Sequence, residues 1–357
     1  MKLLIGGDVV PKETNEKYFI EGDVKTLFGK TVDLAKKADR VIINLECALT
    51  SSEEKIKKIG PNLRADERCV NAIKKFGVTD AMLANNHAFD YGKRGMRDTL
   101  RVLEEAGIEY TGVGENDTLC RKPHIMEKDG EKVGIINVCE HEYSYALPDR
   151  MGTNAFDPFL TMQDIRGLRK KVDYLIVIYH GGKEHCRYPS PRLYKLCHEA
   201  VHNGADMVLC QHSHCIGCYE NYKGAHIVYG QGNFVFYHEG APESFFTGLL
   251  VGFDTKNKSK IDFYPFNISP SGVELAEGKD KEEIISGFEK RNEELKNGKW
   301  IDGWREFCES VKPKYLRAFC VATEEAHESF SHYLDCEAHT DVWKELFPTL
   351  NATNEKQ

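Results

Sequence analysis

Apolar residues follow two alternating patterns from the first residue to about residue 270. Short runs rich in β-branched or large apolar residues predict strands, and apolar residues at three-to-four spacing predict helices. The predicted strands are 2–5, 40–44, 80–84, 110–112, 132–138, 174–179, 207–210, 226–229 and 247–253. The predicted helices are 24–37, 69–76, 95–106 and 192–203. This alternation indicates an α/β fold in which sheet is buried between helices.

The pattern changes near residue 270, where we place a domain boundary. Residues 279–296 are dense in Glu and Lys with few apolar positions, which is typical of a solvent-exposed helix. Residues 300–347 have apolar positions at helical spacing and are expected to pack on the core or on a partner. We therefore predict one domain over residues 1–270 and a helical C-terminal extension over residues 271–357, which ends in a frayed tail.

The composition is that of an ordinary globular protein, with 41% hydrophobic and 29% charged residues. A formal net charge of −8 without any Lys/Arg block argues against nucleic-acid binding. No apolar stretch is long enough for a signal peptide or a membrane span, so we expect a cytoplasmic protein whose twelve cysteines are free thiols. An anionic substrate would need local positive charge, which a bound metal can supply.

Polar residues of the kinds that bind metals directly follow five of the predicted strands. They are Asp8; Asn44 and Glu46; Asn85, Asn86 and His87; His180; and His212 with His214. In an open α/β sheet ligands bind at the carboxyl ends of strands, so these clusters are expected to converge on one crevice. Each cluster alone also fits a helix cap, a turn or a solvated strand end, but their joint occurrence favours a metal site.

The candidate ligands are carboxylates, amides and imidazoles, a set that suits Mn, Fe or Zn and disfavours a thiolate site. Two such ions about 3.5–4 Å apart clamp the attacking and leaving oxygens of a displacement and lower the pKa of bound water. The sequence therefore predicts hydrolysis that depends on one or two divalent ions. Arg64 and Lys183 are candidate contacts for an anionic substrate, although a solvated surface position is the simpler interpretation of each.

Short motifs connect these clusters in order along residues 1–270. They are Gly7-Asp8, Asn44-Leu45-Glu46, Ala84-Asn85-Asn86-His87 with Asp90-Tyr91-Gly92, Gly112-Val113-Gly114, His180-Gly181-Gly182-Lys183-Glu184, His212-Ser213-His214 and Tyr229-Gly230-Gln231-Gly232-Asn233-Phe234. In order and spacing they resemble the CapA family of capsule-synthesis, or poly-γ-glutamate biosynthesis, proteins in the calcineurin-like metallophosphoesterase superfamily. The resemblance implies a four-layer fold with a central pair of β-sheets flanked by helices.

The resemblance also implies roles for individual residues. The implied metal ligands are Glu46 as the bridging carboxylate, Asn86, His180 and His212 in one site, and Asp8 and His214 in the other. His87 would be the general acid, oriented by Asp90. Asn44, Glu184 and Asn233 would shape the substrate-binding pocket. The chain departs from the superfamily pattern at Val10, where a His is expected, so one metal site lacks an imidazole.

The leading functional hypothesis is a metal-dependent hydrolase that cleaves a phosphoester or an amide of an anionic small molecule or polymer in capsule or poly-γ-glutamate biosynthesis. The first alternative is a non-catalytic capsule-assembly factor that binds a polyanion or a synthase partner. Trp300, Trp304 and Trp343 motivate it, because aromatic residues on appended helices can form a partner surface. The second alternative is a cytoplasmic phosphatase of small metabolites, which the fold alone does not exclude.

Overall fold

The computed structural model describes residues 1–348 and contains two large β-sheets with helices on their outer faces. The strands are β1 Lys2–Val9, β2 Arg40–Leu45, β3 Ala48–Leu49, β4 Arg64–Ala65, β5 Asp80–Met82, β6 Glu109–Thr111, β7 Val113–Gly114, β8 His124–Lys128, β9 Glu131–Cys139, β10 Gly152–Thr153, β11 Tyr174–His180, β12 Met207–Gln211, β13 Tyr219–Tyr222, β14 Ala225–Val228, β15 Asn233–Val235, β16 Thr247–Asp254, β17 Ile261–Ile268 and β18 Val273–Leu275. The α-helices are α1 Glu16–Glu21, α2 Val24–Phe28, α3 Val32–Ala35, α4 Val70–Phe76, α5 Gly92–Ala106, α6 Pro158–Arg169, α7 Pro191–His202, α8 Gly278–Lys296, α9 Trp300–Cys320, α10 Glu324–Asp335 and α11 Glu337–Leu346. The predicted frayed tail, 351–357, lies outside the described residues.

The first large sheet has eight strands, in the order β18-β17-β16-β1-β2-β5-β6, with β15 also paired to β1. Strands β1, β2, β5 and β6 run parallel, whereas β16, β17 and β18 are antiparallel additions at one side. Because β1, β2 and β5 run in the same direction, the residues that follow them lie along one edge of the sheet.

The second large sheet has six strands, in the order β13-β14-β12-β11-β9-β8. Its four inner strands are parallel, and β8 and β13 close the two sides as antiparallel hairpin partners of β9 and β14. The ends of β9, β11 and β12 therefore also share one edge.

Alternate side chains of each parallel strand enter different layers of the core. Leu3 and Ile5 of β1 pack with Ile176 and Leu209 of the second sheet, so the two sheets lie face to face. Leu4 points the other way, into a layer beneath the helices near the N-terminus. The outer face of the second sheet is covered by α6 and α7. This arrangement confirms the predicted fold of two central sheets flanked by helices.

All nine predicted strands are present. The prediction of one continuous helix over 24–37 is wrong. Gly29 adopts φ +48° and breaks it into α2, a short 3₁₀ turn and α3. Helix α6 and strands β8, β13, β17 and β18 were not predicted. For α6 a signal was present, because the Asp157 side chain caps the helix and Pro158 occupies its first turn.

The C-terminal part is helical, as predicted. Helix α8 is mostly exposed but buries Phe288 and Leu295. Helices α9 to α11 pack around Trp304 and Tyr315, and this cluster contacts Cys186 in the loop after β11. The division at residue 270 stays a prediction, and β18 adds a strand to the first sheet beyond it. Within residues 1–348, no helix combines the length and apolarity needed to cross a membrane.

Candidate functional site

Residues from both sheets meet where the carboxyl ends of their parallel strands lie side by side. The first sheet contributes Asp8 at the end of β1, Asn44 and Glu46 at the end of β2, and Asn86 and His87 after β5; the second contributes His180 at the end of β11 and His212 and His214 after β12. The six predicted metal ligands Asp8, Glu46, Asn86, His180, His212 and His214 are brought together, each 7% exposed or less.

The ring of His180 lies at the centre of this cluster. Its Nε2 atom is 2.9 Å from Oδ1 of Asn86, 3.3 Å from Oε1 of Glu46 and 3.2 Å from Nδ1 of His212. On the other side of the ring, Nδ1 lies 3.1 Å from Nδ2 of Asn44. The four side chains that the resemblance assigns to one metal site therefore lie close together, and their role as ligands stays a prediction.

Asp8 and His214 form the adjacent half of the site. Oδ2 of Asp8 lies 3.5 Å from Nδ1 of His214, and Oδ1 of Asn233 lies 2.8 Å from the same nitrogen. Asn44 donates a 2.7 Å hydrogen bond to Oδ1 of Asp8. The resemblance implies that Asn44 and Asn233 shape the substrate-binding pocket, which stays a prediction, and both side chains are fully buried. Asn44 contacts Asp8 and Asn233 contacts His214, so the two amides hold these candidate ligands in place.

Three buried carboxylate oxygens at this point have no hydrogen-bond donor. They are Oδ2 of Asp8 and both Oε atoms of Glu46. A buried carboxylate without partners is costly unless it is paired or coordinates a metal. Glu46, His212 and His214 also offer ligand atoms that lie within 4.8 Å of one another. The residues therefore fit a divalent cation.

The pKa values reflect crowding of carboxylates and imidazoles. Burial and the charge of Asp8 raise the pKa of Glu46 well above its ordinary value. Burial lowers the pKa of His180 to about 4. For His214, burial lowers the pKa, but the nearby carboxyl groups of Asp8 and Glu46 outweigh it and raise the pKa to about 9. Without a bound metal, the His214 ring therefore favours its protonated form beside Asp8.

His87 lies next to the ligand cluster and belongs to a buried charged triad. Its Nδ1 atom is 2.6 Å from Oδ2 of Asp90, and the general-acid role that the resemblance implies for His87 stays a prediction. Nζ of Lys58 lies 2.6 Å from Oδ1 of Asp90 and 3.2 Å from His87 Nδ1. Burial and the Lys58 charge lower the pKa of His87 to about 4, although Asp90 opposes this. The ring is neutral at neutral pH and can act as an acid only beside a further negative charge.

The sequence model of a family described as bacterial capsule synthesis protein PGA_cap matches residues 2–238. The chain belongs to this family. Among curated relatives, the capsule biosynthesis protein CapA of Bacillus anthracis is 31% identical over 259 residues, which cover 69% of this chain and 63% of that protein. The PGA biosynthesis protein CapA of Bacillus subtilis is 27% identical over 237 residues, covering 64% of this chain and 62% of that protein. The match spans less than two thirds of the length of either relative.

One match among solved structures has a lower sequence identity than these relatives. A crystal structure of a hypothetical protein from Thermus thermophilus aligns with a TM-score of 0.49 and 18% identity, covering 78% of this chain and 100% of that chain. A likeness at this level carries no information about substrate.

The backbone around the ligands of this PGA_cap protein is unusual at two of its histidines. His212 and His214 adopt φ of +86° and +54°, a region that non-glycine residues rarely enter and that costs free energy. Gly7 permits a second close approach, because a Cβ there would overlap the carbonyl oxygen of Gly232. That approach places Asp8 beside Asn233, with which it pairs in parallel register.

Two predicted substrate contacts lie outside the ligand cluster. Glu184 follows β11, is partly exposed and lies 3.3 Å from Nζ of Lys183, whose charge holds the Glu184 pKa well below its usual range. Arg64 on β4 bonds the carbonyl of Ser52 and lines a cavity of about 780 Å³ that none of the predicted metal ligands lines. Substrate contact by Glu184 and by Arg64 stays a prediction.

Several residues near the site were not predicted. Lys58 lies in a polar segment without any pattern that marks it. Glu142 comes three residues after the end of β9, and this position close to a strand end was a signal for it in the sequence. His332 and His339 lie on α10 and α11, beyond residue 238 where the PGA_cap match ends. They reach the site because the C-terminal helices fold back over it.

Proposed function

We propose that this PGA_cap protein is a metal-dependent hydrolase that cleaves a phosphoester or an amide of an anionic substrate in capsule or poly-γ-glutamate biosynthesis. The observation that carries the proposal is the set of buried carboxylate oxygens of Asp8 and Glu46 that lack donors beside three histidines. The names of the Bacillus relatives supply the biosynthetic context.

The residues that would hold the metal fall into two groups. Glu46, Asn86, His180 and His212 would form one group, and Asp8 and His214 the other, with Glu46 between them. When bound, the metal lowers the pKa of water and stabilises negative charge that develops on the substrate. Val10 is fully buried in the apolar core and offers no ligand. The group of Asp8 and His214 therefore has fewer ligands than the other. Mn, Fe and Zn are all compatible with the donor set.

His87 is the group we assign to proton transfer. Its Nδ1 atom is held by Asp90, so Nε2 is the nitrogen left to exchange a proton with the leaving group. Lys58 neutralises Asp90 and keeps the triad fixed. An anionic substrate beside the ring would favour its protonated form, which ties proton donation to substrate binding.

Hydrolysis tests the proposal directly. The protein is loaded with Mn²⁺ or Zn²⁺ and assayed against a nitrophenyl phosphodiester and a γ-glutamyl nitroanilide. Asn86→Ala removes an amide oxygen next to His180 and should lower kcat/KM for the cleaved substrate by about 100-fold or more, because loss of a group that only orients a ligand already costs about 10- to 100-fold. Asn71→Ala, on the exposed face of α4, is the matched control and should be fully active. Equal turnover by the two variants contradicts the proposal.

A capsule-assembly role is the second candidate, and the exposed apolar side chains of the C-terminal helices support it. Phe319 is 64% exposed and Leu334 57% exposed. The tryptophans that motivated this hypothesis do not form the expected surface together, because Trp304 is buried and Trp300 stacks on Tyr194 at 4.9 Å. Full capsule production by a His87→Ala strain would favour assembly over catalysis.

A further inference from the structure

A second cluster of metal-binding side chains lies beside the strand-end site. Glu142 belongs to the loop after β9, His332 to α10 and His339 to α11. One ligand atom from each lies within 4.8 Å of the other two. His332 and His339 are less than a tenth exposed, and the Glu142 side chain is 12% exposed. Two imidazoles and a carboxylate are a recurrent zinc ligand set.

The rings of this cluster are held in fixed orientations. The hydroxyl of Tyr315 on α9 lies 2.6 Å from Nδ1 of His339, which leaves Nε2 of that ring as its available ligand atom. The ring of Tyr143 stacks on His332 with centroids 4.9 Å apart. Metal-binding histidines commonly use their second nitrogen for such a hydrogen bond, which sets the tautomer.

Glu142 connects this cluster to the strand-end site. Its Oε1 atom lies 3.1 Å from Nε2 of His332, and its Oε2 atom lies 3.6 Å from Nε2 of His212. The opposite nitrogen of His212, Nδ1, faces His180. One carboxylate thus faces a ligand of the strand-end site and a ring of the C-terminal helices.

We propose that Glu142, His332 and His339 bind a divalent transition metal, best matched by Zn²⁺, at a site separate from the strand-end cluster. The ion joins the loop after β9 to α10 and α11, and so holds the C-terminal helices over the strand-end site. Binding energy at a site built from three separate segments contributes to the stability of their docking. This proposal does not depend on the hydrolase activity.

The experiment counts zinc in a background where the strand-end site is disabled. The full chain carrying Glu46→Gln, His180→Ala and His214→Ala, which leaves His212 alone of the three clustered strand-end ligands, is stripped with chelator, supplied with Zn²⁺, desalted and analysed for zinc per chain. We expect about one equivalent. Adding His339→Gln should remove it, together with the rise in melting temperature that zinc produces in the background protein.

A matched control addresses the loss of helix docking. His141→Gln removes a 2.6 Å contact between the same loop and Glu337 of α11 without touching the three ligands. In the background protein it should retain the zinc equivalent. Tyr315→Phe keeps all three ligands and should weaken zinc affinity by about 10-fold. Absence of zinc from the background protein, or its retention after His339→Gln, overturns the proposal.

Discussion

Lys58 and Asp90 form a buried ion pair in which Nζ lies 2.6 Å from Oδ1, with the side chains 2% and 0% exposed. The same carboxylate lies 2.6 Å from His87 and accepts a hydrogen bond from the backbone of Leu63. A lysine in a polar loop thereby sets the charge environment of the residue that we assign to proton transfer.

Replacing Lys58 with Met should destabilise the protein by about 3 kcal/mol, because it leaves the Asp90 carboxylate buried without its cation. The pKa of His87 should rise, since the Lys58 charge is one of the causes that lower it. Urea unfolding measures the first effect and NMR titration of the His87 ring the second. Lys57→Met is the control, because that neighbouring side chain is 80% exposed and its loss should cost less than about 0.5 kcal/mol. Similar unfolding free energies for the two variants would refute the pairing.

Asn233 should affect metal binding without being a ligand. Its Oδ1 atom lies 2.8 Å from Nδ1 of His214, so Asn233→Ala frees that ring to rotate. We expect metal affinity to fall by about 10- to 100-fold, as is typical when a group that orients a ligand is lost. Competition with a chelating dye measures the change. Asn221→Ala, at an exposed position of β13, should bind metal like the unaltered protein, and an equal loss of affinity in this variant would indicate a general folding defect.

Two glycine substitutions should have opposite effects on stability. A Cβ at Gly7 overlaps the carbonyl oxygen of Gly232, so Gly7→Ala should lower the free energy of unfolding by about 2 kcal/mol. Gly167 lies in α6 with no atom near the position of a new Cβ, and Gly167→Ala should raise stability by about 0.5–1 kcal/mol. Thermal unfolding compares them. If Gly7→Ala leaves the free energy of unfolding unchanged, β1 can move away from the loop before Asn233.

Asp80 should make stability dependent on acid pH. Burial alone would raise its pKa, but hydrogen bonds from His124 and Arg40 outweigh burial and lower it below the ordinary value of 3.8. A carboxyl with a lowered pKa stabilises the fold above its unfolded pKa and loses that contribution as pH falls through the folded value. Asp80→Asn should therefore lower the free energy of unfolding by about 2 kcal/mol at pH 7. This difference in unfolding free energy between the variant and wild type should shrink as the pH falls below 3.8.

Urea midpoints from pH 7 to pH 3 measure this gap. Asp33→Asn serves as the comparison, because its side chain is 70% exposed and it should track the wild type at every pH. A gap between Asp80→Asn and wild type that stays constant over this range would contradict the assignment.

The strands and the strand-end residues were predictable because the parallel strands are buried on both faces. The sequences of such strands are continuous apolar runs, as in Val41-Ile42-Ile43. The first polar residues after each run lie at the edge of the sheet. The convergence of Asn86 with His180, which lie 94 residues apart in sequence, followed from this rule together with the family resemblance.

Contacts formed by the C-terminal helices were not predictable in the same way. His332 meets Glu142 because α10 packs back over the pocket, and no local pattern encodes that docking direction. Lys58 looks like a solvated lysine among charged neighbours, and only the folded loop shows it to be buried. Arg64 was singled out for its charge, although its side chain bonds the Ser52 carbonyl nearby.

The six candidate ligands are divided equally between two facing sheets, so the width of the pocket is set by how far apart those sheets stand. Ile42 and Ile178, in the layer between the sheets, act as spacers for this gap. A bulkier or smaller residue in that layer would move one half of the ligand set relative to the other without altering any ligand. The size of the candidate site therefore depends partly on hydrophobic side chains that contact none of the six candidate ligands.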